Sequence, residues 1–80
     1  MKTYTWKIEL TDTFGGEANY CWVRHYEIEA SESASRRTII TRAKKELGWT
    51  GMRCQVEDYG DNYAIRPADM CQIAFVNLEV

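Results

Sequence analysis

The chain has 80 residues, 45% of them hydrophobic and 28% charged, with 12 acidic and 10 basic side chains and a net charge of −2. This length predicts a single domain, residues 1–80, with a thin core, and the charge balance argues against strong non-specific attraction to nucleic acid. The longest nearly apolar run, residues 73–76, is too short to cross a bilayer, and the N-terminus lacks the apolar segment of a signal peptide. We therefore expect a cytoplasmic protein that is not bound to a membrane.

The first half of the chain predicts two strands. In residues 4–10 the even positions are apolar and the odd positions polar, which is typical of a half-buried strand. Residues 11–19 include Gly15 and Gly16 and predict a loop or a long hairpin turn. Residues 20–29 are rich in aromatic and β-branched side chains and predict the second strand.

The alternation of the second strand assigns its side chains to two faces. An apolar face takes Trp22, Tyr26 and Ile28, and a polar face takes His25, Glu27 and Glu29.

A helix is predicted to follow the second strand. Ser31 or Ser33 can cap the free amides of a helix start, and Glu32 suits the positive end of the helix dipole. The helix is expected to run to about Leu47, where Gly48 provides a left-handed stop. One stripe at helical spacing contains Ile39, Ile40, Ala43 and Leu47.

Three more strands complete the predicted fold. Residues 52–57 alternate, residues 58–62 have the composition of a turn, residues 63–66 form a short strand, and residues 71–78 are apolar enough to lie inside the sheet. The predicted order is ββαβββ: an α+β fold with one antiparallel five-stranded sheet and a single helix on one face. Because one helix covers one face only, we expect the other face to meet water or a partner.

The residue types needed for catalysis or metal binding do not form a recognisable site. The single histidine, His25, lies on a polar strand face, and no nucleophile motif or phosphate-binding glycine loop accompanies it. Cys21 and His25 are four residues apart, about 13 Å along a strand, whereas zinc ligands lie within about 2.3 Å of the ion. The cysteines are odd in number and widely separated, at Cys21, Cys54 and Cys71, which fits neither a disulfide framework nor a ribbon-type metal site. We expect no enzyme activity, no metal and no cofactor.

Partner-binding residues are predicted at a strand and at a turn. Trp22 and Tyr59 are large rings that no core position requires, and exposed aromatics beside charges are typical of binding hot spots, with edge packing as the alternative. The predicted binding residues are Glu57, Asp58, Tyr59 and Asp61 in the turn and Trp22, Arg24, His25, Glu27 and Glu29 on the second strand. Arg24 is expected to lie beside His25, Glu27 and Glu29.

Basic residues on the predicted helix provide an alternative working face. Such a helix can contact phosphates, although residues spread around a wide arc favour a solvated surface. The helix carries Arg36, Arg37, Arg42, Lys44 and Lys45, and the alternative face consists of Arg37, Lys44 and Lys45.

The passage from residue 20 to about residue 63 resembles a known class of protein. A strand ending in residues 26–31, a short helix containing Ala43, and Gly51, Arg53 and Val56 opening three further strands are similar to small phage-encoded anti-CRISPR proteins. The nearest are those of ββαβββ fold that bind the type I surveillance complex, Cascade. The resemblance implies a small, non-enzymatic protein that occupies the surfaces with which such a complex grips DNA, and it carries over no contact residues.

From this resemblance we expect a phage or prophage inhibitor in the cytoplasm of an infected bacterium. It would bind a type I CRISPR effector stoichiometrically and block target DNA binding, without contacting nucleic acid itself. Because the sequence pattern shows no dense acidic face, outright DNA mimicry is not expected. The alternatives are a small nucleic-acid-binding accessory protein that uses the basic helix, and a phage interaction domain with another protein partner.

Overall fold

The structure is a computed structural model that describes residues 2–15, 17–60 and 62–79. Its elements follow the order ββαβββ, so the predicted α+β class with one helix and one five-stranded antiparallel sheet is confirmed. The elements are β1 (Thr3–Phe14), β2 (Glu17–Ser31), α1 (Arg36–Leu47), β3 (Cys54–Asp58), β4 (Asn62–Pro67) and β5 (Gln72–Leu78).

The strands lie in the order β2-β1-β5-β4-β3. The apolar β5 is therefore interior, as its sequence predicts, and β2 and β3 are the two edges. The register places Trp6 opposite Ile28 on one side and Ile8 opposite Val76 on the other. Since directly paired residues share a face of the sheet, these pairs define the apolar face.

The hairpin that joins β1 and β2 is longer than predicted. The loop expected over residues 11–19 is wrong, because β1 continues to Phe14 and β2 already begins at Glu17. β-branched threonines favour the extended conformation in this stretch. Gly15, at φ 62°, supplies the left-handed turn residue, and Gly16 lies outside the described residues.

The helix begins later than predicted and ends where predicted. Its N-cap is Ser35, whose hydroxyl accepts a hydrogen bond from the Thr38 amide at 3.3 Å, so a start at residues 31–33 is wrong. The hydroxyl of Ser31 instead accepts from the Ser33 amide at 3.2 Å, a local turn that competes with helix formation. Gly48 ends the helix in the left-handed region at φ 77°.

The helix packs on the apolar face of the sheet. Ile39 and Ala43 are buried there and Leu47 is partly buried, as the helical stripe predicts. Trp6 stacks on Tyr63 with ring centroids 5.5 Å apart. Other buried members of this core are Ile8, Leu10, Ile28, Ala30, Trp49, Ile65, Ala74 and Val76.

The sheet face opposite α1 is called the open face here. It is polar along β1 and β2 and holds a few buried residues only where the inner strands meet. Thr11, Ile73 and Ala64 are buried on this face without a helix above them, so side chains of neighbouring strands shield them. The remainder of the face is accessible to a partner.

Candidate functional site

Three carboxylates gather on the open face at the β2 edge. The register places Glu27 opposite Lys7 and His25 opposite Glu9, while Glu29 follows two residues beyond Glu27 on the same face. The side chains at 27 and 29 are exposed, and that at 9 is partly exposed. We call Glu9, Glu27 and Glu29 the acidic patch. The sequence pattern already placed Glu27 and Glu29 on one face of the second strand, and the register adds Glu9 from β1.

The carboxylates of the acidic patch form no ion pair in the described part of the chain, although Lys7 lies opposite Glu27. Among the ion pairs of the described residues, none involves Glu9, Glu27 or Glu29. Lys7, which lies within the patch, is paired with Glu79 at 3.2 Å. The three carboxylates therefore produce a negative potential at this edge that attracts cationic groups from outside.

Basic residues occupy the opposite side of the molecule. Helix α1 carries five of them and a single acid, Glu46. The two sets of charges approach each other at the β2 edge, where Glu27, Glu29, Arg42 and Lys45 line one shallow groove.

Most of the helix's basic side chains already bind the protein itself. Arg36 pairs with Asp58 at 3.3 Å, and Arg42 donates to the backbone carbonyl of Glu29 at 2.6 Å. Lys44, from the alternative basic face, donates to the carbonyl of Met52 at 2.8 Å. Within the described part of the chain, no side-chain bond is found for the other two members of that face, Arg37 and Lys45.

The acids of the β3–β4 turn stabilise the turn. Glu57 accepts from the Tyr59 hydroxyl at 2.7 Å and from Arg66 Nε at 3.0 Å. These donors lower the pKa of the Glu57 carboxyl, and the same contact raises the pKa of Tyr59. Asp58 accepts from the Gly60 amide at 2.8 Å. The turn therefore uses its carboxylates internally, although the Tyr59 ring is 60% exposed. The fourth predicted turn residue, Asp61, lies outside the described residues.

The two halves of the predicted binding site do not meet. The turn follows β3, at one edge of the sheet, and the other predicted residues lie on β2, at the opposite edge. Four strand spacings of about 4.8 Å separate these edges by about 19 Å. The row from Glu27 through Lys7 and Asn77 to Asn62 crosses the open face from the β2 edge to β4, the strand next to the β3 edge. A contact that includes both the turn and β2 must therefore extend across the width of the sheet.

Arg24 lies on the other face from the one predicted. It was expected beside His25 and Glu27, yet the register pairs it with Leu10 on the helix side of the sheet. There its guanidinium lies 5.6 Å from the centroid of the Trp22 ring, a cation–π contact. The predicted grouping of Arg24 with the acids is wrong, because successive side chains on a strand alternate between faces.

A bulge in β2 is the main feature that the sequence did not reveal. Thr11 pairs with Val23 and Thr13 with Ala18, so residues 19–22 of β2 face the single residue Asp12 of β1. This insertion breaks the alternation of the strand. The predicted strand of residues 20–29 is present within β2, but the faces of residues 20–22 cannot be assigned by alternation because their pairing with β1 is interrupted.

Side chains of β1 hold the bulge in place. Asp12 accepts from the Cys21 amide and from Asn19 Nδ2, each at 2.9 Å, and the Asn19 bond lowers the pKa of the Asp12 carboxyl. The hydroxyl of the fully buried Thr11 donates to the Trp22 carbonyl at 2.9 Å. The sequence signal for this arrangement is a threonine followed by an aspartate on the strand that faces a long second strand of the hairpin. This signal can be interpreted only when the strand register is known.

The bulge presents two aromatic rings to solvent. Tyr20 is 54% exposed and adopts φ 55°, a left-handed conformation that is uncommon for a residue other than glycine. Trp22, one of the predicted binding residues, is 37% exposed. A bulge with a strained backbone that presents aromatic side chains is typical of a recognition surface.

The described residues hold no group of three or more His, Cys, Asp or Glu side chains placed to bind a metal ion. Cys21 and Cys71 are exposed, and Cys54 is partly buried. In the described ranges, no helix is both long and apolar enough to span a membrane.

Comparison of the chain with protein-family models, with curated protein sequences and with solved structures finds no match.

Proposed function

We propose that this protein is a non-catalytic inhibitor that binds a type I CRISPR effector with its open face and blocks target DNA binding. One observation carries the proposal: the acidic patch is exposed at a sheet edge and has no described cationic partner. An effector that grips DNA must present lysine and arginine side chains to phosphates. Carboxylates at this spacing complement the same groups.

The charge complementarity favours rapid association. Complementary potentials raise association rates and fix orientation, whereas a single exposed ion pair contributes only about 0–1 kcal/mol. The acidic patch has three carboxylates within two neighbouring strands, so several pairs form together when the surfaces meet. Such an interface loses affinity steeply as salt concentration rises.

The nucleic-acid alternative has less support from the structure. A helix that binds phosphates needs cationic side chains that are available to them. Arg36, Arg42 and Lys44 bind groups of their own chain. Arg37 and Lys45 remain as candidates for that role.

The test compares binding of a purified type I effector to matched charge variants. Glu9→Gln, Glu27→Gln and Glu29→Gln together remove the acidic patch. We expect affinity to fall about tenfold or more, because the attraction to the basic channel is lost.

The control removes three other exposed acids and gives the same net charge. Glu17→Gln, Glu32→Gln and Asp69→Asn should leave affinity within about twofold of the starting protein, since these residues lie outside the patch. Equal losses in both triple variants would show that net charge, not the patch, determines binding.

Three further results would contradict the proposal. If Arg37→Glu with Lys45→Glu abolishes inhibition while the acidic patch is dispensable, the helix is the working face. Tight, salt-dependent binding of bare DNA would favour the accessory-protein alternative. Failure to bind any purified type I effector would remove the proposed partner.

A further inference from the structure

A second surface lies at the far end of the β1–β2 hairpin. β1 pairs with β5 as far as Asp12 opposite Gln72, and the hairpin continues beyond that pair. The Thr13 amide donates to the Cys71 carbonyl at 2.9 Å, which places the β4–β5 turn next to the hairpin. Most of the exposed large hydrophobic residues in the described chain lie in this region: Phe14, Tyr20, Trp22, Val23 and Met70.

This end of the hairpin has a defined conformation that hydrogen bonds hold in place. The bulge is fixed by the Asp12 and Thr11 hydrogen bonds described above. Tyr20 holds a left-handed backbone that is sparsely populated for a tyrosine and persists only where surrounding contacts determine it. Phe14 is 81% exposed beside the bulge. The arrangement keeps rings in water that would otherwise be buried.

We propose that the bulge is the apolar anchor of the interface, with Tyr20 and Trp22 entering an apolar pocket that basic side chains border on the partner protein. The identity of that partner rests on the proposed function. Exposed rings at the centre of a contact contribute most of the affinity in many interfaces. Asp12 and Thr11 act as positioning residues, since they hold the bulge and do not form the contact.

Charge and continuity indicate the chemistry of the partner. Val23 lies on the open face, two residues before His25 and four before Glu27. The apolar end of the hairpin thus continues along one strand into the acidic patch. The guanidinium of Arg24 lies 5.6 Å from the Trp22 ring centroid on the helix side. A partner that fits both surfaces must therefore place its basic groups on the side of the apolar pocket that faces Glu27.

A second copy of the chain is the less suitable occupant. Pairing of two β2 edges would bring the carboxylates of Glu27 and Glu29 from both copies close together. Arg42 also occupies the backbone carbonyl of Glu29, so part of this edge is already bonded. Charge at an edge strand is a common protection against such pairing.

The experiment measures association and dissociation rates on a purified type I effector. The test variant is Tyr20→Asn with Trp22→Thr: asparagine tolerates the left-handed conformation and threonine favours a strand, so both rings are lost with the backbone kept. The control, Tyr4→Asn, removes an exposed ring elsewhere, at the other end of β1. Circular dichroism spectra and melting curves check that both variants fold.

We expect the test variant to dissociate at least about tenfold faster, with an unchanged association rate and an unchanged salt dependence. The control should match the starting protein. Removal of the acidic patch should do the reverse, slowing association and flattening the salt dependence. These opposite kinetic signatures separate an apolar anchor from an electrostatic contact.

Three outcomes would overturn the inference. Unchanged dissociation of the test variant would leave the proposed function in place and remove the anchor. A dimer of the starting protein in light scattering that the test variant loses would assign the bulge to self-association. Failure of the starting protein to bind any type I effector would contradict the proposed function and, with it, this anchor.

Discussion

Asp12 holds the bulge in β2 through two hydrogen bonds. Its two carboxylate oxygens accept hydrogen bonds from the Cys21 amide and the Asn19 side chain. These bonds hold the bulge, in which four residues of β2 lie opposite one residue of β1. The sequence identified Trp22 as a ring without a core position, but it could not predict the bulge. That feature depends on which residue of β1 faces Cys21, and strand register is set by the whole sheet.

Replacement of Asp12 should release the bulge. In Asp12→Ala the Cys21 amide loses its acceptor, so we expect its hydrogen exchange, measured by NMR, to accelerate about tenfold or more. Asp69→Ala, in the exposed β4–β5 turn, is the control and should leave that amide unchanged. Equal protection of the Cys21 amide in both variants would mean that Asp12 does not hold the bulge.

Acid should release the bulge in the same way. The Asn19 hydrogen bond lowers the pKa of Asp12 from its usual value of 3.8, so the contact is fully present above pH 3.8. The contact is lost as the pH falls through the lowered folded value. An NMR titration of the Cys21 amide should therefore show a midpoint below 3.8. A midpoint above that value would contradict the arrangement.

At the scale of elements, the local sequence patterns predicted whether a segment forms a helix or a strand more accurately than they predicted where it begins and ends. The helical stripe and the Gly48 stop were sufficient to locate the body and the end of α1. The predicted start of the helix was wrong because three serines, Ser31, Ser33 and Ser35, all suit an N-cap. Only the packing of the helix on the sheet determines which of them is used. The β1 and β2 strands were underestimated because two glycines and polar neighbours gave the hairpin the composition of a loop.

The position of the helix start has a measurable consequence. Ser35→Ala should lower the free energy of unfolding by about 1 kcal/mol, because the Thr38 amide loses its acceptor. Ser33→Ala should change it by less than about 0.5 kcal/mol. Urea denaturation of both variants measures the difference. A larger loss for Ser33→Ala would place the cap at the earlier serine.

At the scale of the whole molecule, topology determines which predicted residues can act together. The sequence gives strand order along the chain but not across the sheet, so it could not show that Tyr59 and Glu27 lie at opposite edges. It also could not show that Glu9 joins Glu27 and Glu29 on one face. The open face itself was predictable, since one helix cannot cover both sides of a five-stranded sheet.

Competition with DNA tests the central claim most directly. A purified type I effector is titrated with fluorescent target DNA at several fixed concentrations of this protein, and anisotropy reports the bound DNA. If the open face occupies the basic channel, the apparent Kd for DNA rises in proportion to the concentration of this protein, and loss of Glu9, Glu27 and Glu29 weakens the effect about tenfold or more. Unchanged DNA affinity at saturating concentrations of this protein would contradict the account.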